Sequence, residues 1–247
     1  MSPSKARGYL VHLYTTSTLL FVVLAVQWIL DGRYTLALVA MAITLLIDAT
    51  DGALARKHRV AQTVPNIDGP LLDNVVDFVS YVFLPILFLM HAGLLLEPVW
   101  VFATLVAFSS AYGFSRTTAK QSDEGFFVGF PSYWNVVAFY AYLLDLSPAL
   151  TTALVIGLSL LVFTGVRFLY VSRLPRGRLL HFVLGGAWGV VALVALLVEP
   201  GPLKTALAYG SLSYVAFYAL HSFVLDRQSR RARRRRANEP RSADLNG

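Results

Sequence analysis

The chain contains no cysteine. That excludes disulfides, cysteine nucleophiles and any metal site built on thiolate sulfur. Charge is scarce as well. Asp, Glu, Lys and Arg make up 14% of the 247 residues, where a soluble domain carries about 25%. Apolar residues take their place: 56% of the chain is hydrophobic and the mean hydropathy is +0.61. Several apolar runs approach the ~20 residues that span a bilayer as a helix. These features leave no room for a sizeable soluble domain. They point to an all-α, polytopic membrane protein whose backbone groups are satisfied within helices.

The apolar runs predict about eight spanning helices, at 9–30, 34–58, 70–93, 98–119, 131–146, 148–172, 180–198 and 203–225. Asp31-Gly32, Glu97-Pro98, Ser147-Pro148 and the stretch from Glu199 to Pro202 supply turn signals between them. Lys5 and Arg7 precede the first run as in a signal peptide, but the run from Tyr9 to Leu30 is too long for one and reads as a retained helix. Residues 1–225 read as one membrane domain and 226–247 as a basic, disordered cytoplasmic tail. The formal net charge of +7 resides largely in that tail and is a topology signal rather than a mark of nucleic-acid binding. With the N-terminus in the cytoplasm, eighteen of the 21 Lys and Arg fall on cytoplasmic segments. Arg33 and Lys204 fall outside, and Arg167 falls within the sixth expected helix. That asymmetry places both termini inside.

Four carboxylates stand at the edges of two apolar runs: Asp48 and Asp51, then Asp73 and Asp77. Acids at membrane depth are costly and normally have partners and a function. Spacings of three and four residues put each pair on one helix face. Gly52, Ala55 and Arg56 continue the first face, and Gly69 precedes the second. Pro70 suits a first helical position, with Asn66 or Asp68 as the cap. A short connection makes the two helices neighbours, so that the acids converge on one pocket. Oxygen ligands of this kind suit Mg²⁺ or Mn²⁺, and two such ions clamp a pyrophosphate well. An ion path in a cation-coupled transporter is the competing reading, but it gives no use for small residues and an arginine beside the acids.

The pattern Asp48-x2-Asp51-Gly52-x2-Ala55-Arg56-x12-Gly69-x3-Asp73-x3-Asp77 resembles the signature of the CDP-alcohol phosphotransferase family. The resemblance implies a membrane enzyme that transfers a substituted phosphate from a CDP-linked donor to an alcohol and releases CMP. It implies two divalent ions, Mn²⁺ or Mg²⁺, on Asp48, Asp51, Asp73 and Asp77, with Asp77 also the general base. Asp51, Gly52, Ala55, Arg56 and Gly69 would contact the CDP part. A cytoplasm-facing cavity and a homodimer are further implications. The twelve-residue spacer from Lys57 to Asp68 is longer than is usual in the family. Together with Val64-Pro65-x2-Asp68-Gly69-x2-Leu72-Asp73-x2-Val76-Asp77 and Val11-His12-Leu13-Tyr14-Thr15-Thr16-Ser17, it is similar to a bacterial branch of the family. That branch joins free choline to CDP-diacylglycerol in the inner membrane. Serine, inositol phosphate or glycerol phosphate are the acceptors of sibling enzymes.

A quaternary ammonium cannot donate hydrogen bonds and is met by aromatic faces. Tyr112 and Trp134 are the first candidates because they flank the basic stretch from Arg116 to Lys120; Phe78, Tyr81 and Tyr133 complete the set. Aromatic residues also collect at membrane interfaces for no catalytic reason. Arg116 and Lys120 are candidates for the lipid phosphate, with snorkelling as the alternative. His12 reads as a site-lining or hydrogen-bonded helix residue and His58 as solvated. His91, His181 and His221 show no partner spacing.

Overall fold

The computed structural model describes residues 2–121, 124–174 and 177–238. Among the described residues the regular structure is helical except for one small sheet. Helices α1 (Pro3–Thr16) and α2 (Thr18–Leu30) run together, followed by α3 (Tyr34–Lys57), the short α4 (Val60–Thr63) and α5 (Gly69–Phe78). One π-helical turn, Val79–Phe83, joins α5 to α6 (Leu84–His91). Pro85 has no N–H to return to the carbonyl of Tyr81 four residues earlier, and the widened turn falls at that place. The remaining helices are α7 (Val99–Ser115), α8 (Trp134–Leu143), α9 (Pro148–Leu161), α10 (Arg178–Leu197) and α11 (Pro202–Asn238).

Among the described residues, four helical units are long and apolar enough to cross a membrane: Pro3–Leu30, Tyr34–Lys57, Gly69–His91 and Arg178–Leu197. Val99–Ser115 and Pro148–Leu161 are shorter apolar helices. Helix α8 and the apolar part of α11 stand where the fifth and eighth spans are expected. Close helix approach is achieved with small side chains, as membrane interiors require. Ala25, Ala37 and Ala40 are fully buried where α2 and α3 pack together. Outward-facing Leu20, Val23, Trp100, Phe108, Leu160 and Leu179 are more than half exposed. That outer surface suits lipid rather than water, and the protein is membrane-integral.

Two sequence expectations are corrected. The tail expected to be disordered from residue 226 is helical to Asn238 as the end of α11, with Asp226 buried, because Asp226 finds arginine partners. The helix expected at 148–172 ends at Leu161, and Arg167–Leu169 is a strand. Strands β1 (Lys120–Gln121), β2 (Phe126–Val128) and β3 (Arg167–Leu169) form an antiparallel sheet in that order, with Phe126 opposite Leu169 and Val128 opposite Arg167. The run Arg167-Phe-Leu-Tyr-Val171 is apolar enough to pass for a helix end, yet its aromatic and β-branched residues suit a strand once a partner is present. Arg167 is therefore not an intramembrane helix residue. It is 5% exposed, lies over the Phe126 ring at 4.6 Å, and pairs with Asp226 of α11 and with Glu124 at 2.9 Å. Arg230 also pairs with Asp226, at 2.8 Å. This buried ion cluster ties the sheet to α11.

Candidate active site

Asp68 starts α5. Its side chain accepts the Leu71 N–H at 3.0 Å, and Pro70 occupies the first turn. Three residues ride on the helix so begun: Asp73, Asn74 and Asp77. Asp48 comes from α3. One carboxylate oxygen from each of Asp48, Asp73 and Asp77 lies within 4.8 Å of the other two. Two unit charges at 4.8 Å repel by about 3 kcal/mol at an effective dielectric of about 20. Three ionised carboxylates so close call for cations or shared protons. The donor set is all oxygen and fits a hard divalent ion.

Asp51 lies one helical turn beyond Asp48 and is held apart from that trio. It is 5% exposed, and its Oδ2 accepts the Thr15 hydroxyl at 2.8 Å. Helix α1 makes this possible because it packs against both α3 and α5. Asp48 has its own donor: the Tyr81 hydroxyl reaches its Oδ2 at 2.6 Å. Tyr81 is four residues after Asp77, so its helix face is legible in the sequence, but its bond to Asp48 across to α3 is not. Thr15 belongs to the Val11–Ser17 stretch already singled out, without a role that spacing could have revealed.

The other residues expected at the site differ in their surroundings. Gly52 leaves space that Arg56 uses: a Cβ there would meet the Arg56 guanidinium at 3.3 Å. Ala55 is half-buried on the same helix and Arg56 is exposed. A Cβ on Gly69 would meet His12 Cε1 at 3.4 Å, an ordinary van der Waals contact, so Gly69 faces α1 without space alone demanding glycine there. His12 is buried, and its Nε2 meets no hydrogen-bond partner among the described residues. Lys120 donates to Asn74 at 2.8 Å and so stands beside Asp73. Arg116 instead donates to the Val162 carbonyl at 3.3 Å and lies over Tyr112 at 5.7 Å.

The aromatic candidates separate in the same way. Trp134 is 0% exposed, and its indole N–H is taken up by Ser110 at 2.8 Å, which leaves no ring face open. Tyr112 pairs with Phe163 at 4.9 Å. Phe78 packs edge-on against Phe114 at 5.6 Å. Tyr81 and Tyr133 are joined to each other at 6.4 Å. Histidines 181 and 221, which sequence spacing left unpaired, meet across α10 and α11 with ring nitrogens 2.9 Å apart.

The sequence model of CDP-alcohol phosphatidyltransferases matches residues 10–171, which include every one of the motif positions. The chain belongs to the CDP-alcohol phosphatidyltransferase family. It is a phosphatidyltransferase, as the motif implied. Three curated relatives each bear the name phosphatidylcholine synthase. That of Legionella pneumophila is 36% identical over 224 residues, covering 87% of either chain. The Pseudomonas aeruginosa relative is 34% identical over 209 residues, 84% of this chain and 87% of its own. The Rhizobium meliloti relative is 34% identical over 227 residues, 89% of this chain and 93% of its own. These matches run past the end of the family-wide segment and into α11.

Proposed function

We propose that the chain transfers the phosphatidyl group of CDP-diacylglycerol to free choline, with release of CMP. The observation that carries this reading is the trio Asp48, Asp73 and Asp77, gathered within 4.8 Å by the family motif. The similarity to phosphatidylcholine synthases over most of the chain supports choline as the acceptor. The oxygen of choline forms a bond to the phosphorus that carries the diacylglycerol, and the bond from that phosphorus to the CMP oxygen breaks. Asp77 accepts the hydroxyl proton. General-base assistance of this kind contributes roughly 10²–10⁴-fold.

Asp48, Asp51, Asp73 and Asp77 would hold two divalent ions, Mn²⁺ or Mg²⁺. When bound, such ions supply charge stabilisation on the pyrophosphate. Gly52 and Ala55 leave the α3 backbone open to the nucleotide, and Arg56 forks onto its phosphates. Asp51 and Gly69 complete the CDP contacts. Lys120, beside Asp73, is the group placed to take the lipid phosphate on leaving Asn74; Arg116 has the weaker claim because the Val162 carbonyl holds it. The excess of Lys and Arg on alternate connections supports a cytoplasmic site with both termini inside, in a bacterial inner membrane as the resemblance implies. The enzyme acts as a homodimer, as its family resemblance implies.

The test is product formation by the purified protein in detergent with CDP-diacylglycerol, Mn²⁺ and labelled choline. Serine, inositol phosphate and glycerol phosphate run in parallel. Metal-dependent phosphatidylcholine and CMP from choline alone is the expected result. Product from another acceptor would overturn the choice of choline, and absence of CMP release with any acceptor would return the aspartates to an ion path.

A further inference from the structure

The family-wide match stops at residue 171, before α10 and α11. Yet α11 sends a side chain back toward the acids. Tyr218 lies 6.2 Å from Tyr133 at an interplanar angle of 61°. Tyr133 lies 6.4 Å from Tyr81 at 48°. The Tyr81 hydroxyl touches Asp48. The three rings thus form a splayed, unbroken wall that begins at the catalytic carboxylates and ends on a helix outside the shared segment.

The wall is fixed in advance. The Tyr218 hydroxyl donates to the Leu169 carbonyl of β3 at 2.8 Å. Ser132, just before Tyr133, adopts a left-handed backbone with φ of 57°. Non-glycine residues rarely sit there. Ser132 is 2% exposed, and its hydroxyl donates to Ser110 at 3.1 Å. That bond holds the turn that aims Tyr133. Phe130 backs the same ring edge-on at 6.5 Å. Tyr133 and Tyr218 are partly buried rather than sealed.

We infer that Tyr133 and Tyr218, backed by the buried Tyr81, form the subsite that receives the quaternary ammonium of the acceptor and set the preference for it. This inference rests on the proposed acceptor and names the residues that select it. Rings inclined at 48° and 61° can direct their negative faces toward one cation, which parallel stacked rings cannot. A trimethylammonium group needs no hydrogen-bond acceptor, so aromatic faces suffice. A primary ammonium would lose its hydrogen bonds to water against the same faces and is selected against.

The experiment measures steady-state kinetics of the full-length protein with choline, ethanolamine and the uncharged isostere 3,3-dimethylbutan-1-ol as acceptors. The variants are Tyr133→Leu, Tyr218→Leu and the ring-preserving Tyr133→Phe. Removal of either ring should raise the KM for choline roughly 3–30-fold. It should leave the KM for CDP-diacylglycerol and kcat/KM for the isostere within about 2-fold. Competitive inhibition by tetramethylammonium should weaken in parallel, and Tyr133→Phe should stay near wild type. Unchanged choline KM in both leucine variants, or an equal fall for all three acceptors, would overturn the assignment while the transferase reading stands. A wild-type protein that makes no phosphatidylcholine would overturn both.

Discussion

Tyr81→Phe isolates one hydroxyl. The ring is 5% exposed, and phenylalanine keeps its packing. What is lost is the 2.6 Å bond to Asp48. A hydrogen bond to a charged group contributes about 1.5–3 kcal/mol. If that energy serves to aim Asp48 at a metal ion, its loss corresponds to roughly a 10–100-fold weaker metal activation, the range found for outer-shell partners of metal ligands. The assay titrates Mn²⁺ against CMP release at saturating CDP-diacylglycerol and choline. The half-activating Mn²⁺ concentration should rise by about that factor, while maximal turnover at high metal recovers most of its wild-type value. The KM for choline should hold within about 2-fold, because the ring and its packing against Tyr133 are kept. An unshifted Mn²⁺ titration with folded protein would refute the role of Tyr81 in orienting Asp48.

Further outcomes follow from the same geometry. Asp77→Asn should keep metal-dependent binding of CDP, measured by equilibrium dialysis, and lower turnover by roughly 10²–10⁴-fold. Thr15→Val leaves Asp51 buried without its donor and should cost about 1–3 kcal/mol, seen as lower thermal stability or weaker CDP binding, with Thr15→Ser restoring both. Gly8→Ala would bring a Cβ to 2.5 Å from Val64 Cγ2; destabilisation of about 1–3 kcal/mol is expected by thermal melting, relieved by Val64→Ala. Arg167→Met leaves Asp226 with Arg230 alone and should lower the melting temperature, whereas Arg167→Met with Asp226→Leu recovers most of the loss.

Much of the site was legible because its chemistry is local. Asp48 and Asp51, and Asp73 and Asp77, are each about one turn apart on their helices, so spacing alone puts each pair on one face. Pro70 marked the start of α5, and its cap, Asp68, is one of the two the sequence offered. Membrane integration followed from composition, since a chain with 14% charge cannot cover a soluble surface.

What the sequence could not reveal depends on partners distant along the chain. Thr15 meets Asp51 and Tyr81 meets Asp48 only because α1 and the turn after α5 pack around α3; the separations are 36 and 33 residues. Trp134 and Tyr112 look as available as Tyr133 until packing closes one ring and pairs another. The strand at Arg167 needed β2 beside it, because a short apolar run carries no period that separates a strand from a helix end. Residue type and spacing determined where metal-binding oxygens could gather and that the chain lies in a membrane. Tertiary packing alone decided which hydroxyls meet those oxygens and which rings are closed off, since directed contacts exist only once the helices are side by side.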